Sequence, residues 1–307
     1  MAYYADLHSH TTRSDGNDLP YELILNAEKE GVRVVGLTDH DVLPPETIDV
    51  HGDQVPICGY AEKHRVRLVR GVEFSCETMI EDCHIVGYGC DFRSAALAEL
   101  CDRIQKFKES AYIELLEKLS LHGMPITVDE LLDANKSTTL ADLQKKRIFD
   151  LMAQKGYAPD WKSAKLMVRS EKALEVKRKK PDAKEVIEKL HSAGGTAILA
   201  HPFLIDEKVV YQGKQMSRWE FIEILIGYGL DGIESRYPYT KTTCVDRRPN
   251  EVLWQEIIER YAKRLFISGG SDYHNDEKKG TQNPRHIGEC GLTEAEFSGF
   301  DQLIGRK

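Results

Sequence analysis

The chain predicts an α/β barrel interrupted by a helical insertion, and three observations carry that prediction. Short apolar runs alternate with stretches of helical periodicity in the first 93 residues and again from residue 181 onward. Histidine and carboxylate side chains gather where the apolar runs end, the place α/β barrels use for their active sites. From Ser94 to about Lys180 the strand signal nearly vanishes and helical patterns take over. The expected division is thus 1–93 and 181–307 as two parts of one barrel, with 94–180 as a helical insertion between them. A length of 307 residues suits one barrel plus an insertion.

Taken in order, ADLHSH reads as the first strand. LPYELILNAEKEG reads as a helix opened by Pro20 and closed by Gly31, with apolar residues three and four apart. VRVVGLTDH carries the continuous apolar run of a parallel strand buried on both faces, and VRLVRGVEFS and CHIVGYG follow as strands. In the insertion, ALAELCDRIQKFKESAYIELLEKLSLHG and DLQKKRIFDLMAQKG have helical periodicity, and TVDELL opens with a threonine cap and an acid three residues on. The basic run Lys177-Arg178-Lys179-Lys180 reads as a solvated helix end or linker. The βα alternation then resumes: helix DAKEVIEKLHSAGG, strand TAILAHP, helix RWEFIEILIGYG, strand DGIES, helix PNEVLWQEIIERYAK and strand LFISGGSD.

Nine residues of metal-ligating type sit at these strand ends. His8 and His10 are two apart on a strand, so both side chains point to one side and can grip one ion through imidazole nitrogens. Asp15 follows in a turn, and VVGLTDHD delivers His40 between Asp39 and Asp41. Glu73 is an acid in an otherwise apolar strand, and His84 heads the next one. His201 stands at the mouth of a buried strand, and Asp272 and His274 follow the last. Any one of these has a bland explanation, but six of the eleven histidines share the strand-end context. The other five, His51, His64, His122, His191 and His286, lie in polar loops or helical stretches and read as solvated or locally hydrogen-bonded.

Composition excludes several classes. Hydrophobic content of 41% and charged content of 30% describe an ordinary globular protein, and no apolar run approaches the ~20 residues a membrane helix needs. No secretory pattern is visible ahead of the first strand, so a cytoplasmic protein is expected. Seven cysteines without a CxxC pair argue against a disulfide framework and a zinc knuckle. A net charge of −8 weighs against long nucleic acid as partner; with no membrane expected either, a small phosphorylated substrate remains, a few nucleotides at most, and oligomeric state is not legible.

In order and content, DLHSHTTRSDG, GLTDHD, GVEFS, HIVGYG, LAHP and GSDYH resemble the motifs of the polymerase and histidinol phosphatase (PHP) family of metal-dependent phosphoesterases. Within it the chain looks most like the branch of small phosphoesterases related to 3',5'-nucleotide bisphosphate phosphatase. The resemblance implies a distorted (β/α)7 barrel of the PHP type with an inserted helical subdomain, here 94–180, over the active site. It also implies three divalent ions, manganese, zinc or iron: His8, His10, Glu73 and Asp272 for the first; Glu73 as a bridge with His84 and His201 for the second; Asp15, His40 and His274 for the third. The implied reaction is hydrolysis of small phosphate esters of nucleotides or sugars by a hydroxide bridging two ions. The substrates it admits are a 3',5'-nucleotide bisphosphate, a 5-phosphoribose 1,2-cyclic phosphate or histidinol phosphate.

Catalytic contacts are expected from His201, Asp272 and Arg236, with His201 or a metal-bound water as the acid for the leaving group. Phosphate recognition is expected from Arg13 in the first motif, Arg147 on an insertion helix and Arg236 at a strand end, because guanidinium binds phosphate in a bidentate fork. Tyr237 and Tyr239 read as loop packing rather than as a stack for a base or ribose. In KKRIFDLM, Phe149 stands where the bisphosphatase branch would carry a histidine.

Overall fold

The computed structural model describes residues 2–137 and 139–305, so Met1, Thr138, Arg306 and Lys307 lie outside it. The described chain divides into two compact units, Asp102–Lys180 and the residues on either side of that segment.

The flanking unit begins with β1 (Ala5–Asp6), α1 (Pro20–Glu30), β2 (Val34–Leu37), the hairpin β3 (Thr47–Val50) and β4 (Asp53–Pro56), α2 (Ile57–Lys63), β5 (Arg67–Ser75) and β6 (His84–Tyr88). Helix α3 (Ala95–Leu121) leads into the other unit, which holds α4 (Val128–Asn135), α5 (Lys146–Gln154) and α6 (Trp161–Ser170). Afterwards come α7 (Ala183–Ser192), β7 (Thr196–Leu199), the hairpin β8 (Lys208–Tyr211) and β9 (Lys214–Ser217), α8 (Arg218–Gly227), β10 (Gly232–Arg236), α9 (Asn250–Tyr261), β11 (Phe266–Gly269) and α10 (Glu294–Gly305). The two hairpins, α2, α6 and α10 add to the elements read from periodicity.

Seven strands form one sheet in the order β1-β2-β5-β6-β7-β10-β11. The segments after β11 and β1 meet again, with Ser9 bridged to Tyr273 and the Leu7 N–H donating to the Gly269 carbonyl at 3.3 Å, so the sheet nearly closes into a barrel. All neighbours are parallel except β6, which is antiparallel to both β5 and β7. That reversal corrects the uniform βα reading. Because β6 runs the other way, its first residue, His84, arrives where the other strands end, and it pairs with Ser75 at the end of β5.

Local chemistry explains the element ends. Helix α1 has proline in its first turn, where no intrahelical donor is lost, and stops at Gly31 with φ +79°, a left-handed conformation glycine adopts without a Cβ penalty. Its buried face, Leu23, Ile24 and Ala27, packs with Val35 and Leu37 of β2 and with Ile57 and Ala61 of α2. In the Asp102–Lys180 unit, Thr127 and Glu130 close a reciprocal capping box on α4. That unit has its own core of Leu115, Leu119, Leu131, Ile148, Phe149 and Met152. Phe149 is 5% exposed, and burial of a side chain that size contributes roughly 1.5–3 kcal/mol, so this position serves packing in its unit. The basic run 177–180 lies in irregular backbone after α6.

Candidate metal centre

The strand ends bring the ligand-type side chains to one place. Three groups form, each with donor atoms within 4.8 Å of one another: His8, His10, Glu73 and Asp272; His10, Asp15, His40 and His274; and His40, Glu73 and His84. His201 joins through Glu73, whose Oε1 lies 3.0 Å from its Nε2 and 3.0 Å from Nδ1 of His84. The other oxygen of Glu73 lies 3.1 Å from His8 Nε2, 3.2 Å from His10 Nε2 and 3.1 Å from His40 Nδ1. One buried carboxylate therefore faces five imidazoles, with its two oxygens turned to different sets.

Several sequence features make that convergence possible. Gly270 lets the end of β11 lie against His8; a Cβ there would stand 2.4 Å from that of His8. Gly16 folds the turn carrying Asp15 back on the His10 carbonyl, only 2.3 Å from where a Cβ would be. Asp39 is fully buried and ties the same turn down, accepting from the Thr11 amide and hydroxyl and from the Ser14 hydroxyl, each at 2.7 Å. Asp6 does the corresponding work for β11, accepting from the Ser271 and Gly288 amides at 2.9 and 2.7 Å. His201 and Asp272 have positive φ, 28° and 50°, a backbone conformation uncommon for residues other than glycine and concentrated at functional sites.

The donor atoms pass a test of fit to divalent ions. His8 Nε2, both nitrogens of His10, His40 Nδ1, His201 Nδ1 and Glu73 Oε2 are buried with no hydrogen-bond partner, although several lie 3.0–3.6 Å from a neighbouring carboxylate oxygen. Such distances without donor–acceptor alignment are what atoms produce when they converge on a shared point. A set of imidazole nitrogens and carboxylate oxygens suits zinc, manganese or iron. His274 is oriented for this role, since its Nδ1 sits 2.7 Å from the Asp272 carbonyl, an acceptor, and leaves Nε2 to face Asp15 at 3.1 Å.

The electrostatics divide the histidines. Burial disfavours a charged His10, but the adjacent Asp272 and Glu73 carboxylates outweigh it and raise its pKa to about 10. His8 is likewise raised, its burial overcome by Glu73 and Glu234. For His40 burial wins over Glu73, with the His10 charge adding to it, and the pKa falls to about 4. Glu73 and Asp272 are held well below the usual carboxylate range: against the effect of burial, Glu73 is surrounded by His40, His8 and His84, and Asp272 by Arg285, His274 and His8.

Of the arginines predicted for phosphate, Arg13 is exposed in the turn beside Asp15 and donates to the Leu43 carbonyl at 3.0 Å. Arg147 is exposed on α5 and lies 3.6 Å from Asp150 in its own unit. Arg236 is turned away from the ligand cluster. Ser235 is an extra residue in β10, between Glu234 paired with Ser268 and Arg236 paired with Gly269. Such a bulge reverses the side of every residue after it. Arg236 consequently pairs with Glu296 of α10 at 2.7 and 3.0 Å, while Tyr237 points inward and donates to Asp272 Oδ2 at 2.8 Å. Tyr237 and Tyr239 are both buried, so neither offers a face to a base.

Two charged residues at the site went unread in the sequence. Arg285, largely buried, donates to Asp272 Oδ2 and, at 2.9 Å, to Asp276. It lies in a polar loop with no pattern to mark it. Glu234, 3% exposed, has Oε1 3.2 Å from His8 Nδ1, and its Oε2 accepts from the His201 amide at 2.9 Å. An acid in an apolar strand was the signal that marked Glu73, and GIES carries it too.

Residues 6–198 match the model of the PHP domain. The chain belongs to the PHP domain family. A 5'-3' exoribonuclease from Haemophilus influenzae is 28% identical over 272 residues, covering 88% of this chain and 89% of the relative. A phosphoribosyl 1,2-cyclic phosphate 1,2-diphosphodiesterase from Eggerthella lenta is 26% identical over 273 residues, with 88% and 93% covered. The 5'-3' exoribonuclease Rnm of Salmonella typhimurium is 30% identical over 289 residues, with 88% and 84% covered. Among solved structures, a protein from Bifidobacterium adolescentis assigned as a metal-dependent phosphoesterase superposes with a TM-score of 0.70 at 22% identity, covering 100% and 99% of the two chains. An amidohydrolase from Chromobacterium violaceum gives 0.68 at 20% identity, with 95% and 93% covered. These likenesses show the shared PHP-type barrel. This PHP protein is a metal-dependent phosphoesterase with a His/Asp/Glu cluster able to hold metal. No helix among the described residues is long and apolar enough to cross a membrane.

Proposed function

We propose that the chain hydrolyses phosphate esters carried on ribose, in small nucleotides or sugar phosphates, with three divalent ions. The observation that carries this reading is the split of Glu73, with Oε2 facing His8 and His10 and Oε1 facing His84 and His201. A carboxylate so placed would bridge two ions, with Asp272 completing the first set. Asp15, His40 Nε2 and His274 Nε2 would hold the third, their nitrogens 3.9 and 3.1 Å from Asp15 Oδ1.

Bound divalent ions supply such a site with water ionised near neutral pH and with charge to neutralise phosphate oxygens. The chain's own residues do the rest. Arg285 and the Tyr237 hydroxyl both hold Asp272 Oδ2, leaving Oδ1 to face His10 at 3.0 Å as a single-oxygen donor. His201 Nε2 faces Glu73 at 3.0 Å inside the buried cluster, which supports a ligand role over that of the acid for the leaving group. Exposure beside Asp15 supports Arg13 as an arginine that meets a substrate phosphate.

The names of the relatives share one chemistry, a phosphodiester on ribose, which makes a cyclic or nucleotide phosphodiester the favoured substrate over histidinol phosphate. A second reading, release of nucleotides from the 5' end of RNA, is favoured by the exoribonuclease relatives and opposed by the net charge of −8. The test is release of phosphate or nucleotide, with zinc or manganese, from five substrates: adenosine 3',5'-bisphosphate, AMP, 5-phosphoribose 1,2-cyclic phosphate, histidinol phosphate and a 5'-phosphorylated oligoribonucleotide. Turnover of the small ribose esters is expected. Turnover of the oligomer alone would replace the first reading with the second, and no turnover by metal-loaded protein would sink both.

A further inference from the structure

We propose that Glu234 is a positioning residue that clamps His8 and His201, side chains assigned above to different ions, into one hydrogen-bonded unit. The inference rests on the metal reading of the cluster and goes beyond it by naming what holds two of its members in place. Glu234 is 3% exposed and stands just before the bulge in β10, which keeps it inward while Arg236 turns out. Both of its oxygens are in use. Oε1 lies 3.2 Å from Nδ1 of His8, and Oε2 accepts from the His201 backbone N–H at 2.9 Å.

The chemistry of the two contacts requires a carboxylate. An amide N–H can only donate, and an ionised carboxylate can only accept. His8 therefore donates from Nδ1, so that once it is neutral, as ligation requires, its lone pair is on Nε2, the atom 3.1 Å from Glu73 Oε2 and 3.6 Å from Asp272 Oδ1. A carboxylate behind a ligating imidazole fixes its tautomer and ring orientation and raises its basicity. At His201 the same side chain holds the amide of a residue at φ 28°, ψ 59°, so the ring stays turned toward Glu73. Glu234 thereby couples the two sides of the Glu73 bridge from behind. A glutamine in its place offers one acceptor and one donor group to two donors, and can satisfy only one of them.

The test measures Zn2+ binding by calorimetry in wild type and Glu234→Gln, with the His8 ring nitrogens followed by 15N NMR in zinc-loaded protein. Glu234→Gln is expected to lose about 10- to 100-fold in zinc affinity, with a weakened Nδ1–H signal at His8. Glu234→Asp, which keeps two acceptors, is expected to recover part of that affinity. Wild-type affinity together with a wild-type His8 spectrum in Glu234→Gln would overturn the proposal. Should that variant fail to fold, the wild-type spectrum decides: His8 protonated on Nε2 and bound through Nδ1 overturns it, and the Nδ1–H form supports it. Absence of zinc binding by the wild type would instead sink the metal reading and this proposal together.

Discussion

Glu73 and Glu234 are both buried acids in apolar strands, set in the closely similar contexts GVEFS and GIESR. Glu73 faces five imidazoles at 3.0–3.2 Å, and its Oε2 has no aligned donor. Glu234 faces one imidazole at 3.2 Å and one backbone amide at 2.9 Å. A buried charge must be compensated, and the kind of compensation sets the role. Converging lone-pair atoms make Glu73 a place for cations. Aligned N–H donors make Glu234 a brace. The largest predicted effect tests this difference: Glu73→Gln should abolish tight metal uptake and lower hydrolysis ~10³-fold or more, against the ~10- to 100-fold loss in affinity expected at Glu234. Elemental analysis after gel filtration and initial rates check it; equal losses in the two variants would erase the distinction.

The partner of Asp272 gives the next effect. Arg285 and Asp272 are both largely buried, and removing one member of such a pair strands the other's charge. Arg285→Met should destabilise the metal-free protein by about 3–5 kcal/mol in a denaturant titration, and by less once zinc or manganese is bound. The pH dependence has a definite sign. Asp272 is held below its ordinary value of 3.8, so the stability it contributes is present above that pH and is lost as the pH falls further. The gap between wild type and variant should therefore narrow in acid below about pH 4; a gap that widened there would show that Asp272 does not draw its charge stabilisation from Arg285.

A smaller effect separates the histidines. With His10 raised to about 10 and His40 lowered to about 4, the metal-free protein at pH 7 carries a proton on the first and none on the second. Ligation requires neutral imidazole, so metal loading should expel a proton from His10, and from the likewise raised His8, but none from His40. For each such proton, apparent affinity rises about tenfold per pH unit, up to the metal-free pKa. Calorimetric titration with zinc in two buffers of different ionisation enthalpy counts the protons directly. An affinity flat between pH 6 and 8 would mean that the ions meet a neutral cluster.

Much of this was legible from residue type and position. The HxH spacing puts His8 and His10 on one side of a strand whatever the fold, and an acid such as Glu73 in a buried run needs a reason to be there. Strand direction was not legible, because an apolar run reads the same in a parallel or an antiparallel neighbour; hence the reversal of β6 behind His84. Arg285 was missed because its partner is chosen by the path of a polar loop, which carries no periodicity. Phe149 had a physical reason that only packing reveals, a place in the core of its own unit.

Arg236 was misplaced for a reason of a different kind, and it gives the smallest predicted effect. A strand-end position says which end of the barrel a residue reaches, not which side it faces, and one inserted residue, Ser235, exchanges the sides of Arg236 and Tyr237. The guanidinium then belongs to the packing of α10, in a partly exposed pair with Glu296 and over the ring of Tyr3 at 5.6 Å. Arg236→Met should cost about 1 kcal/mol in unfolding and leave rate and substrate preference unchanged. The informative partner is Tyr237→Phe, which removes a hydrogen bond to Asp272 and should weaken metal binding although it deletes no charge. If Arg236→Met changed KM while Tyr237→Phe did not, β10 would have to run without its bulge, and Glu234 and Arg236 would then share one face of the strand.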